Sequence, residues 1–146
     1  MLKHLGRIVL SAITFILLFF LAVSAEEPQP FPAGVYTITI TSDEVPLDAP
    51  ADVRKVLIAK YVVTYSANGH YKVLANGKLD AEGRYASTRD YLVITDENGP
   101  GHCEAERATG IYKWKLDGDK LSLQAVDDGC KWRRFSIVLK DWRKEK

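Results

Sequence analysis

Six residues that could do chemistry crowd one segment of this 146-residue chain: Asp96, Glu97, His102, Glu104, Glu106 and Arg107, with Asp127 and Asp128 further on. Carboxylates beside an imidazole can ligate a divalent cation, and an acid with a raised pKa can move a proton. The spacing fits neither task. A calcium loop needs a closely spaced acidic series with a Gly and a terminal Glu, and that series is missing. These residues therefore read as a charged, solvated loop. His70, just after Asn68-Gly69, reads as a solvated residue at a strand start. No Gly-x-Ser-x-Gly string marks a nucleophile, although a Ser/His/acid set drawn from distant strands stays open. The sequence thus offers no catalytic residue, no metal ligand set and no cofactor motif.

Cys103 and Cys130 admit two readings: a disulfide, or one structural thiol and one metal ligand. Neither belongs to a CxxC or HxxxC pair, which favours the disulfide. Closing that loop is worth about 3.5 kcal/mol in chain entropy when the native bridge is unstrained.

The compartment follows from the N-terminus. Lys3 and Arg7 precede an uncharged apolar run over 8–23, and Val23-Ser24-Ala25 supplies small residues at cleavage spacing. This is the pattern of a secretory signal peptide over 1–25. The run is short for a span, which needs about 20 apolar residues; an uncleaved anchor is the competing reading. Cleavage leaves a secreted or periplasmic chain with no stable membrane span. It also removes two basic groups, turning the formal net charge from +1 to −1. A nucleic-acid partner has no electrostatic support in that balance.

The elements that must position any site are short alternating runs. After a Pro-rich tether over 26–33, runs over 34–42, 56–66, 70–74, 81–87, 91–95, 109–116, 120–126 and 132–139 read as strands of one domain spanning 34–142. Asn68-Gly69, Asn76-Gly77 and Asp117-Gly118 are hairpin turns between consecutive runs. Only 47–58 reads as a short helix, with Asp48 as its cap and Pro50 in its first turn. Alternation sets Tyr112, Trp114 and Leu116 on one face, as it does Leu121, Leu123 and Ala125, and Phe135, Ile137 and Leu139. The fold class is all-β, an eight-stranded antiparallel up-and-down barrel, with a two-sheet sandwich as the alternative.

Strand parity then sorts the connections. Links after the second, fourth and sixth strands are all tight, whereas 43–55, 96–108 and 127–131 all emerge at the other end. Both cysteines fall at that loop-rich end, so a bridge between them is geometrically allowed. Tyr36, Ile38, Tyr85, Tyr112, Trp114 and Phe135 face inward. They either line a ligand cavity or fill the interior, since eight strands is the size at which side chains can occupy the whole barrel. A basic C-terminal region (Lys131, Arg133, Arg134, Lys140, Arg143, Lys144, Lys146) with Trp132 and Trp142 is either a contact for an anionic surface or a solvated outer strand, Trp142 capping the barrel bottom.

Gly34-Val35-Tyr36 resembles the lipocalin Gly-x-Trp motif, with Tyr36 in place of Trp. The hairpin Gly110 to Leu121, the Asp127-Asp128-Gly129-Cys130 stretch and the loop from Asp96 to Cys103 resemble those of small exported bacterial lipocalin-like (calycin) domains. The likeness covers about 34–139; a late Thr-Asp-Tyr motif is missing. It implies binding of a small hydrophobic or amphipathic ligand without catalysis. A protein-binding module, such as an inhibitor of an exported hydrolase using the tether, is the alternative. An isomerase-like enzyme would need a polar group inside the barrel.

Overall fold

The computed structural model describes residues 31–146; the signal-like segment and the tether up to Pro30 lie outside the described residues. Eight strands are joined in sequence order into a closed antiparallel barrel: β1 (Gly34–Ile40), β2 (Ala59–Tyr65), β3 (His70–Ala75), β4 (Lys78–Ser87), β5 (Tyr91–Asn98), β6 (Thr109–Asp117), β7 (Lys120–Asp128) and β8 (Trp142–Lys144). Closure leaves no open sheet edge. The expected period-2 patterning is observed. Tyr36, Ile38 and Ile40 on β1, and Tyr61, Val63 and Tyr65 on β2, are buried. At Asn76-Gly77 both residues take positive φ, 50° and 79°, the conformation a two-residue hairpin turn demands.

Two helices interrupt the meander at its loop-rich end. Helix α1 (Ala51–Leu57) lies between β1 and β2, and α2 (Lys131–Val138) lies between β7 and β8. The first is shorter than expected: Pro50 occupies the N-cap position and no side chain caps the helix, so Asp48 is a turn residue outside it. The second is a correction. The run 132–139, expected to be the eighth strand, is helical, and the strand that closes the barrel is Trp142–Lys144, paired with both β1 and β7. Buried Arg133 and Ile137 are four residues apart, the spacing of one helix face. That face covers the barrel end, a burial that decides between two periods the residues alone leave balanced.

The opposite end is sealed by aromatic packing. Phe31, at the end of the tether, is buried, with ring centroids 4.8 Å from Tyr65, 5.2 Å from Trp114 and 5.8 Å from Tyr85. The polar atoms of this floor bond to nearby backbone. Tyr36 donates to the Pro32 carbonyl at 2.6 Å, Tyr85 to Ser66 at 2.8 Å and the Trp114 indole to Thr88 at 3.1 Å.

Candidate functional site

Parity places both cysteines on one rim, and there Cys103 and Cys130 form a disulfide with Cα atoms 6.1 Å apart. Beneath it lies a buried polar network, half of which a β-bulge turns inward. Where β6 meets β7 the register shifts between Ile111 and Tyr112, so Val126 is skipped and turned outward, 53% exposed. The shift reverses inward and outward for the rest of β7, and Asp128 faces the interior in place of Asp127. On β5, Asp96 faces inward in phase with Leu92 and Ile94, just before the shift that β5 makes against β4.

The two carboxylates have matching partners. Asp96 accepts from the Cys103 N–H at 2.8 Å and from the Tyr71 hydroxyl; Asp128 accepts from the Cys130 N–H at 2.8 Å and from the Tyr112 hydroxyl. One guanidinium joins them. Arg133 grips Asp128 through Nε at 3.0 Å and Nη2 at 2.7 Å, and its Nη1 lies 3.0 Å from Asp96. It also donates to the carbonyls of Ala108, at 2.6 Å, and Arg107, at 3.0 Å. A planar fork with fixed donors suits this bidentate task better than an ammonium would. The guanidinium is packed so closely that a Cβ at Gly110 would stand 2.9 Å from Nη2.

The charges explain the titration behaviour. Burial, then the hydrogen bond to Asp96, pushes the Tyr71 hydroxyl far above the ordinary phenol value; burial and Asp128 do the same at Tyr112. Both therefore remain donors. Burial works against the charge on Arg133, yet the bond to Asp128 and the fields of Asp96 and Asp128 outweigh it and raise its pKa.

Between this network and the aromatic floor the barrel is hollow. A cavity of about 450 Å³ opens at the loop-rich end. Tyr61, Tyr65, Tyr71, Val63 and Val73 form one wall, Trp132, Ile137 and Trp142 another, and Asp80, Asp96, Arg133 and His102 supply its polar atoms. The Tyr61 hydroxyl is tied to the Val56 carbonyl at 2.5 Å, and burial followed by the charge of Asp80 pushes its pKa up to about 12. His102 donates from Nδ1 to the Gly99 carbonyl and places Nε2 3.5 Å from Glu104. No set of three or more His, Cys, Asp and Glu side chains that could hold a metal converges among the described residues.

The candidate residues named from sequence divide clearly. Tyr36, Ile38, Tyr85, Tyr112, Trp114 and Phe135 do not border this cavity. Tyr36, Tyr85 and Trp114 belong to the floor, Tyr112 binds Asp128, and Ile38 backs a surface groove beside β8. Phe135 stands on α2, not on a strand, half-buried against the core. Of the charged loop expected to be solvated, Glu97, Glu104, Glu106, Arg107 and Asp127 are exposed, while Asp96 and Asp128 are only 6% and 7% exposed. Arg133, read as part of a basic surface, is 8% exposed, and Trp142 is buried inside the barrel, not at its bottom. Tyr61, Tyr65 and Tyr71 line the cavity with no motif to mark them, and alternation along β2 and β3 is the signal that points them inward.

No family model, curated protein or solved structure matches the chain.

Proposed function

We propose that this chain is an exported, lipocalin-like barrel that binds a small amphipathic molecule in its upper cavity and does not transform it. The observation that carries the reading is the division of the interior. Aromatic rings fill the tight-turn half, whereas the loop-rich half encloses about 450 Å³ of space. A cavity of that size, mostly apolar with a few convergent polar groups, suits a small ligand. The wall's strongest charges, Arg133 with Asp96 and Asp128, are engaged with one another, which favours holding a ligand over chemistry on it. The disulfide accords with an oxidising compartment, as does the signal-like N-terminus. In this reading Tyr61, Tyr65, Tyr71, Trp132 and Trp142 meet the ligand, and Tyr36, Ile38, Tyr85, Tyr112, Trp114 and Phe135 support them.

Purified protein from the native compartment tests the reading. A native mass spectrum should show a stoichiometric adduct of a few hundred daltons that leaves on organic extraction. A bare mass, combined with failure of the stripped protein to take up any apolar probe, contradicts it.

A further inference from the structure

One carboxylate in the cavity, that of Asp80 on β4, has no hydrogen-bond or ion-pair partner among the described residues, although Asp96, Asp128 and Arg133 are all mutually satisfied. Its backbone is fixed, since the Asp80 carbonyl accepts from the Gly101 N–H at 2.7 Å, so the half-buried carboxylate is held under the 99–102 loop at the cavity wall. A partly desolvated carboxylate without a counterion is costly. The cavity's own cation cannot serve, because two carboxylates and two carbonyls already take the Arg133 donors. Of the charged side chains that line the cavity, Asp80 and Asp96 outnumber Arg133, and Asp128, bonded to Arg133 but outside the lining, adds a further negative charge. His102, on the rim, is turned to the Gly99 carbonyl and to Glu104. The rings of Tyr61, Tyr65, Tyr71 and Trp132 line the same cavity. Aromatic faces attract organic cations and repel carboxylates.

We propose that the cavity selects an amphipathic organic cation, its ammonium group paired with the Asp80 carboxylate and its apolar body lying against Tyr61, Tyr65 and Trp132. This rests on the carrier reading above and names its ligand class. A fatty acid would set a second unpaired carboxylate beside the first. A neutral alcohol would fill the same volume and leave Asp80 without its charge partner.

A matched series separates these cases. Ligand-stripped full chain is titrated at pH 7.4, below micelle concentrations, with decylamine, decanol and decanoate, following tryptophan fluorescence. The amine should bind about tenfold or more tighter than the alcohol, the scale of a partly desolvated charge pair, and the acid weakest. In Asp80→Asn the amine should fall to the level of the alcohol while alcohol affinity stays unchanged. Circular dichroism confirms that the variant folds, which the near-identical shape of Asn and the absence of a side-chain hydrogen bond or ion pair at Asp80 among the described residues lead us to expect. Decanoate or decanol binding as tightly as decylamine overturns the cation proposal and leaves the carrier reading standing. Equal loss of amine and alcohol binding in Asp80→Asn also overturns it. Failure of all three compounds, with the fold intact, overturns both.

Discussion

Asp96 and Asp128 hold one guanidinium from two sides, and each also takes the backbone N–H of one half of the disulfide. The bridge and the charge network are therefore one structure. The disulfide fixes where the two N–H donors stand, the donors help fix the carboxylates, and the carboxylates fix Arg133 and with it helix α2 over the cavity. A buried ion pair adds little net stability over a well-packed apolar group, but removing one partner is expensive.

That asymmetry sets the first expectation. Arg133→Met should lose about 3–5 kcal/mol in urea unfolding, because two buried carboxylates lose their counter-charge. Arg133→Lys should recover only part of this, since an ammonium cannot span both acids with the same fork. A loss under about 1 kcal/mol in the Met variant would show that the network is solvated.

Coupling between bridge and network is measurable separately. Removing the disulfide by Cys103→Ser with Cys130→Ser should cost about 3–4 kcal/mol from chain entropy. In a double-mutant cycle with Arg133→Met the losses should be non-additive by about 1 kcal/mol or more, as for residues sharing partners. Additive losses would mean that the cysteine N–H groups keep their positions without the bridge.

The aromatic floor should be separable from the site. Phe31→Ala should destabilise by about 3 kcal/mol, the scale of a buried ring removed from a core. Ligand affinity in the surviving folded protein should fall by less than about threefold, because Phe31 reaches the cavity only through Tyr65 and its other ring neighbours, Trp114 and Tyr85, do not border it. Calorimetry and a binding titration on the same preparation check both halves of the statement.

Asp80 gives a pH signature. Burial, then the charge of Asp96, holds its carboxyl above the ordinary 3.8, so the folded state keeps that proton longer than the unfolded chain. Its contribution is fully present below the unfolded value and is lost as pH rises through the folded value. The parent-minus-variant stability difference with Asp80→Asn should therefore decline from about pH 3 upward, leaving the Asn variant the more stable without ligand at pH 7. A difference that rises with pH would assign Asp80 a favourable partner in the ligand-free protein.

Much of the architecture was legible in the residues, and its limits have physical causes. Asn76-Gly77 and Asp117-Gly118 announce turns whatever surrounds them, and period-2 runs such as Tyr61-Val62-Val63-Thr64-Tyr65 announce strands, so the closed meander and the shared rim of Cys103 and Cys130 could be derived. The segment 132–139 could not, because its apolar residues suit a strand face as well as a helix stripe. The true last strand, Trp142–Lys144, is too short to show alternation. Asp96, Asp128 and Arg133 carry charge, and charge reads as surface until the partners that neutralise it are known. The bulge between β6 and β7, which leaves no mark in composition, turned Asp128 inward and Asp127 outward. For the candidate site, parity says which aromatics point in, whereas height along the barrel decides which meet the cavity. Tyr36 and Trp114 turn their polar atoms to the floor backbone at Pro32 and Thr88, while Tyr61 and Tyr71 turn theirs to Val56 and Asp96 at the loop-rich end.

The hollow upper half is the claim on which the functional reading depends, and one titration addresses it. Stripped wild-type protein and Ala81→Trp, whose new ring would occupy the cavity that Ala81 borders, are each titrated with N-phenyl-1-naphthylamine. The account predicts saturable binding at one site in the wild type and none in the folded Trp variant. Equal binding in both, or none in the wild type, would contradict it.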